Sequence, residues 1–80
     1  MIDIIHNTDA KKFIVEKNGM EAVLAYQVHN NQIDFYSTYV PPQFRGQGIA
    51  EKLVRTGIAW ANEQGYEMHA SCWYAAKFLK

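Results

Sequence analysis

Alternating apolar and polar positions dominate the first half of the chain and predict three consecutive β-strands. These segments are rich in β-branched and aromatic residues and run over residues 12–16, 22–28 and 33–40. Asn18-Gly19 and Asn30-Asn31 separate them, and such residues tolerate the positive φ angles of tight hairpin turns. The pattern therefore predicts an antiparallel meander, to which residues 2–6 add either a short edge strand or only a packed tail.

Strict alternation along the third strand assigns its side chains to two faces of the sheet. One face would carry Ile33, Phe35, Ser37 and Tyr39, and the other Asp34, Tyr36, Thr38 and Val40. Pro41-Pro42 ends the strand, because proline cannot donate a hydrogen bond to the ladder.

Apolar residues at helical spacing after the two prolines predict a helix over residues 47–64. Its apolar face comprises Ala50, Leu53, Val54, Gly57, Ile58 and Ala61. Gly57 would allow the helix to lie close to the sheet, and Gly65 suits the position just beyond the helix end. A strand over about residues 67–71 and a short helix over residues 73–80 follow. The result is an α+β fold in one domain, residues 1–80, with a mostly antiparallel meander sheet and one main helix.

Composition limits the partners that such a domain can have. Eight basic and eight acidic residues give a formal net charge of zero, so no overall field attracts nucleic acid or an anionic membrane. No apolar stretch is long enough to cross a bilayer, and the N-terminus lacks the pattern of a signal peptide. One cysteine, Cys72, cannot form an internal disulfide, and the histidines have no metal-ligand spacing with it. We therefore expect a soluble, cytoplasmic protein without a metal site.

The loop between the third strand and the main helix carries the clearest chemical pattern. Residues 45–50, Arg-Gly-Gln-Gly-Ile-Ala, lie where unpaired backbone amides meet the positive end of the helix dipole. Such a loop suits a phosphate or pyrophosphate, and Arg45 would add a charge-assisted contact. The P-loop motif is absent, and a dinucleotide fingerprint would need glycine where the chain has Glu51. The structural alternative is that Gly46 and Gly48 only allow a tight turn into the helix.

The segment 43–48, Gln-Phe-Arg-Gly-Gln-Gly, matches the Gln/Arg-x-x-Gly-x-Gly/Ala motif of the GNAT N-acetyltransferases. The chain resembles a small, single-domain subgroup of that family from about Phe13 to the C-terminus. The resemblance extends over Thr38-Tyr39-Val40-Pro41, Leu53-Val54, Ser71-Cys72 and Tyr74. It departs at Ser37, where some members of the subgroup have a histidine that could act as a base.

The resemblance implies a binding site for acetyl-CoA. The backbone amides of residues 45–50 would bind the pyrophosphate. The exposed backbone at Tyr39 and Val40 would pair with the pantetheine arm like an added strand, and a gap between strands near Cys72 would hold the thioester. The cofactor-binding residues implied are Tyr39, Val40, Gln43, Arg45, Gly46, Gln47, Gly48, Ile49 and Ala50.

Cys72 and Tyr74 are the candidate catalytic residues. Cys72 would either accept the acetyl group as a nucleophile or protonate the departing sulfur, and the alternative is a small buried packing residue. Tyr74 would act as a general acid or pack at the short helix. By analogy with the family, the Val40 amide would stabilise the oxyanion.

The remaining histidines and tryptophans, apart from His69, are expected to be surface or packing residues. We expect His6 and His29 at the surface, His69 as a secondary candidate for a base, and Trp60 and Trp73 as packing residues.

The leading hypothesis is an enzyme that moves an acetyl group from acetyl-CoA to a primary amine of a small molecule or protein. One alternative is a module that binds CoA or acyl-CoA without efficient turnover. Another is a small interaction protein that pairs through an open sheet edge. A homodimer is compatible with all three hypotheses.

Overall fold

The computed structural model describes residues 3–79. In chain order this range forms β1 (Ile5–Asn7), β2 (Lys12–Lys17), β3 (Met20–His29), β4 (Gln32–Tyr39), a 3₁₀ helix (Pro42–Phe44), α1 (Ile49–Gln64), β5 (Glu67–Ala70) and α2 (Trp73–Ala76). The strands make one sheet in the order β1-β2-β3-β4-β5, in which β1 to β4 are antiparallel and β5 lies parallel to β4. The predicted α+β fold is confirmed.

Tight turns connect β2 to β3 and β3 to β4 where the sequence predicts them. Asn18 and Gly19 have φ angles of 55° and 77°, the pair of positive values that a type I′ hairpin turn requires. Asn30 also has a positive φ, of 56°, at the turn from β3 to β4. Of the two alternatives for the N-terminal residues, the edge strand is the one that forms: Ile5 of β1 pairs with Ile14 of β2. Ile2 lies outside the described residues.

The core lies between one face of the sheet and α1. The buried residues are Phe13, Val15, Ala22, Leu24, Tyr26, Ile33, Phe35, Phe44, Ile49, Leu53, Val54, Ala61 and Ala75. α1 lies close to the sheet at Gly57: a Cβ placed there would lie 2.8 Å from Leu24 Cδ2 and 3.0 Å from Phe35 Cε1. The predicted role of Gly57 is confirmed, since a side chain would hold the helix away from the sheet.

A β-bulge changes the faces predicted for β4. Ala25 pairs with Ser37 whereas Tyr26 pairs with Phe35, so Tyr36 is an extra residue without a partner in β3. The strict alternation predicted beyond Phe35 is therefore wrong, because one added residue reverses the side on which each later residue projects. Thr38 then projects towards the same side as α1, and Ser37 is exposed.

Both helices are shorter than the sequence predicts. α1 begins at Ile49 rather than residue 47, because Gly48 has a left-handed φ of 72° that cannot continue a helix. Gly65, with φ of 80°, ends it as predicted. α2 ends at Ala76, after which Phe78 and Leu79 donate to carbonyls three residues back, as in a 3₁₀ turn. The last predicted helical residue, Lys80, lies outside the described range.

His6 is half-buried in an aromatic cluster, which corrects the expectation of a surface residue. Because β1 pairs with β2, His6 lies opposite Phe13 and stacks on its ring at 4.0 Å between centroids. Its Nε2 is 2.6 Å from the Tyr26 hydroxyl, and the Trp60 ring meets it edge-on. Burial lowers the pKa of His6, so the neutral imidazole is favoured there. Trp60 packs as predicted.

The close approach at Gly57 makes this position sensitive to any added volume. We expect Gly57→Val to lower the free energy of unfolding by about 1–3 kcal/mol, because the added carbons would overlap Leu24 and Phe35. Urea unfolding monitored by circular dichroism measures this change. Thr56→Val, at the exposed neighbouring position, is the control and should change stability by less than about 0.5 kcal/mol. A Gly57→Val protein as stable as the wild type would contradict the packing described.

Candidate functional site

An open cleft of about 480 Å³ lies where the end of β4, the glycine loop, the start of α1 and the start of α2 meet. This volume falls within the range of about 300–1,000 Å³ typical of small-molecule sites. The residues that line the cleft are Thr38, Val40, Phe44, Arg45, Gly46, Gly48, Ile49, Ala50, Glu51, Cys72, Trp73 and Tyr74.

The cleft exists because β4 and β5 separate. Their pairing runs from Gln32 opposite Glu67 to Phe35 opposite Ala70 and stops there, although β4 continues beside β3 as far as Tyr39. The bulge then turns Thr38 into the resulting gap. The strands separate after Phe35. Beyond this point the edge of β4 that would pair with β5 has no strand partner and borders the cleft.

Asp34 fixes the point at which the strands separate. Its carboxylate accepts hydrogen bonds from the Ser71 amide and the Ser71 hydroxyl, each at 2.8 Å. The next amide, of Cys72, donates to the Phe35 carbonyl at 3.1 Å. Charge-assisted bonds of this kind are stronger than neutral ones, so the start of α2 is held at a defined distance from β4. Sequence reasoning missed this contact, and a single charged residue inside the strand was the available indication.

The glycine loop lines the cleft with Arg45, Gly46 and Gly48. Gly46 and Gly48 have φ angles of 85° and 72°, and a Cβ on either would meet nothing within 4 Å. Glycine is therefore required by the backbone conformation rather than by packing. Gly48 is the N-cap of α1 and supplies no side-chain cap, so the first amides of this helix have no capping partner. The buried ring of Phe44 anchors the loop to the core.

The structure brings most of the predicted site residues together. Those that line the cleft are Val40, Arg45, Gly46, Gly48, Ile49, Ala50, Cys72 and Tyr74. Tyr39, Gln43 and Gln47 do not line it. The Gln47 side chain donates to the Gln43 carbonyl at 3.1 Å and braces the loop, and Tyr39 is exposed. The binding roles of the nine cofactor-binding candidates and the catalytic roles of Cys72 and Tyr74 remain predictions.

Four residues that line the cleft were not predicted as site residues. They are Thr38, Phe44, Glu51 and Trp73. The packing role expected for Trp73 is wrong, since 74% of its surface is exposed at the start of α2. The Glu51 carboxylate is held by Arg55, with Nε 2.7 Å from Oε2 one turn later on α1. This pairing partly offsets a negative charge beside the loop amides.

Cys72 lies directly across the gap from Thr38, with its Sγ 3.4 Å from the Thr38 Oγ1. Burial raises the pKa of the Cys72 thiol, but hydrogen bonding from Thr38 and from the backbone amides of Ala75 and Tyr74 outweighs burial, and the net effect lowers its pKa. The thiolate is the reactive form of cysteine, so this environment increases its nucleophilic fraction near neutral pH.

None of the three histidines lines the cleft. His6 belongs to the aromatic cluster, His29 is exposed at the end of β3, and the His69 Nε2 is 3.3 Å from a Glu67 carboxylate oxygen. The predicted candidate base, His69, therefore lies outside the site. Between residues 3 and 79 no group of three or more metal-ligating side chains comes together, and no helix in this range is long and apolar enough to span a membrane.

Residues 12–80 match the model of a protein family described as GCN5-related N-acetyl-transferase. The chain belongs to this family. Among similar proteins, Protein NATD1 of Xenopus tropicalis is 35% identical over 82 aligned positions, which cover 99% of this chain and 75% of that protein. Protein NATD1 of Homo sapiens is 34% identical, with coverage of 99% and 73%.

A solved structure agrees with this GCN5-related fold. The solution structure of a GCN5-like protein from Staphylococcus aureus superposes with a TM-score of 0.73 and 30% sequence identity. The superposition covers 96% of this chain and 76% of the other. The predicted family resemblance is confirmed.

The hydrogen bond from Thr38 to Cys72 gives this GCN5-related protein a measurable property. Because the pKa of the thiol is lowered, alkylation of Cys72 by iodoacetamide should reach its half-maximal rate at a lower pH than alkylation of an unstructured peptide cysteine. Thr38→Val should shift this midpoint to higher pH, while Thr56→Val on the exposed side of α1 should not. A midpoint unchanged by Thr38→Val would show that the threonine does not stabilise the thiolate.

Proposed function

We propose that the protein transfers an acetyl group from acetyl-CoA to a primary amine. The observation that carries this proposal is the convergence of two features on one cleft. One is a free strand side next to Val40 and Cys72, and the other is a set of uncapped amides at the start of α1. The first suits an extended amide-containing arm, and the second suits a pyrophosphate.

The residues present fit a pyrophosphate ester of this kind. The Arg45 amide already donates to the Pro42 carbonyl at 3.2 Å, so the amides available for the phosphate oxygens are those of residues 46–50 rather than 45–50. The Arg45 guanidinium, exposed at the loop, would add charge. The open space beside Gly46 and Gly48 leaves room for the anion to approach the backbone. The backbone of Tyr39 and Val40 would hold the pantetheine arm by strand-like hydrogen bonds.

The lowered pKa of Cys72 favours a nucleophilic role over a role as acid, because a thiolate has no proton to give. In this scheme the Cys72 sulfur attacks the acetyl carbon, the bond from that carbon to the CoA sulfur breaks, and CoA leaves as a thiolate. The amine then attacks the acetylated cysteine, regenerating its thiolate, and the proton lost by the amine is taken up by the CoA sulfur. The Val40 amide would stabilise negative charge on the carbonyl oxygen in both steps.

A second candidate function is binding of CoA or an acyl-CoA without efficient turnover. It is favoured by the lack of a histidine among the residues that line the cleft, and by the pairing of Glu51 with Arg55. An ammonium group must lose its proton before it can attack, and these residues offer no free base for that step. Turnover would then depend on an amine that is already neutral or on a base supplied by the acceptor.

The glycine loop is tested with two substitutions that impose the same backbone strain. Gly48→Val should reduce the affinity for CoA at least about tenfold, measured by isothermal titration calorimetry, because a side chain would obstruct the anion site. Gly65→Val is the matched control, since Gly65 has a similar φ of 80°, no neighbour within 4 Å, and lies at the other end of α1. Equal affinity in the Gly48→Val and Gly65→Val proteins would refute the loop assignment.

The role of Cys72 is tested by mass spectrometry. Incubation of the protein with acetyl-CoA alone should add one acetyl group to Cys72, and a primary amine added afterwards should remove it and become acetylated. Cys72→Ser should bind CoA with similar affinity but lose the adduct. Binding of CoA without an adduct or any acetylated amine would exclude the relay and support the binding module.

A further inference from the structure

The face of the sheet opposite the helices carries an apolar row that no described element covers. α1 and α2 both pack on the other face, where Leu53 and Ala75 belong to the same buried core. On the open face, Ile5 pairs with Ile14, Ile14 with Val23, and Val23 with Tyr39. Directly paired residues project to the same side, so these four side chains form a continuous apolar row across four strands. Ile5 and Tyr39 are 55% and 58% exposed.

Opposite charges flank the apolar row. On β2, Lys12 lies two residues before Ile14 and Glu16 two residues after it, so all three project from the same face. Glu16 pairs directly with Glu21 of β3, and like charges placed opposite each other destabilise a sheet. The ion pairs within residues 3–79 are Arg55 with Glu51 and His69 with Glu67. Lys12, Glu16 and Glu21 therefore have no ion-pair partner in this range.

We propose that this face is the interface of a homodimer, with a two-fold axis that runs along the apolar row. Rotation about such an axis places the row of one copy on the row of the other and reverses the strand direction. Lys12 then lies over Glu16 and Glu21 of the partner subunit, and the reciprocal contact forms at the same time. The pattern of a basic residue, an apolar row and an acidic pair is thus complementary to itself, which a two-fold interface requires.

The size of the face indicates a weak dimer. Strands about 4.8 Å apart and residues about 3.4 Å apart give an extent of about 14 Å both along the row and from Lys12 to Glu16. With side chains at the margins, two copies would bury on the order of 1,000 Å² in total, which is below the standard size of stable interfaces. Association should therefore depend on protein concentration and, through the lysine and glutamate contacts, on salt. The cleft lies on the helix side of the sheet and stays open in the dimer, so the interface is independent of the proposed catalysis.

Sedimentation velocity over a range from low-micromolar to millimolar protein tests the proposal at low salt. The wild type should shift from monomer to dimer, and Lys12→Glu should weaken the dimer at least about tenfold by placing three carboxylates together. The double variant Glu16→Lys, Glu21→Lys should lose self-association for the same reason. A mixture of the two variants should restore a dimer, since each supplies the charge that the other lacks. Lys52→Glu, on the exposed side of α1, is the control and should associate like the wild type.

The outcomes are distinguishable from loss of folding, because far-ultraviolet circular dichroism reports the fold of each variant independently. A wild type that stays monomeric at millimolar concentration would overturn the proposal. A Lys12→Glu protein that associates as well as the wild type would overturn the two-fold arrangement, and so would a mixture that fails to restore the dimer. Val23→Asp, in the centre of the row, should also be monomeric, and a dimer of that variant would place the interface elsewhere.

Discussion

The separation of β4 from β5 is the constraint on which the rest of the site depends. Two parallel strands that stayed paired to their ends would leave no gap, and the residues beyond Phe35 would satisfy one another's backbone groups. The bond of Asp34 with Ser71 holds the last paired position, and the extra residue Tyr36 bends β4 away just beyond it. These two features act together, because a bulge alone would shift the strand without fixing where the next segment starts.

The bulge also decides which chemistry meets at the gap. It turns Thr38 towards the helix side, where the hydroxyl reaches Cys72 and alters its proton affinity. The same shift leaves Tyr39 on the open face, where it ends the apolar row. One inserted residue thus divides β4 into a part that builds the core, a part that lines the cleft and a part that lies on the opposite surface. A sheet without this irregularity would have placed Thr38 on the opposite face of the sheet from Cys72.

Sequence reasoning succeeded where one physical property of a residue type determines the local structure. Asn18-Gly19 predicted a hairpin because few other pairs accept two positive φ angles, and Gly57 predicted a close helix because nothing else has so little volume. The glycine loop between β4 and α1 was predicted because glycine accepts the positive φ angles found at Gly46 and Gly48. The sequence did not predict the bulge in β4, because the alternation of side chains is read along one strand, whereas the pairing register depends on the neighbouring strand. His6 was misplaced because its burial comes from partners far along the chain.

Gly48 has a consequence for the thermodynamics of the whole domain. A glycine N-cap has no side-chain acceptor, so the first amides of α1 lack the partner that a serine or aspartate cap supplies in other helices. An anion that bonds to these amides completes the helix end, and its binding free energy adds to the stability of the native state alone. In a chain of 80 residues, where the margin between folded and unfolded states is narrow, such binding would make resistance to unfolding depend on whether the cleft is filled. The melting temperature of the protein would then report the occupancy of the cleft.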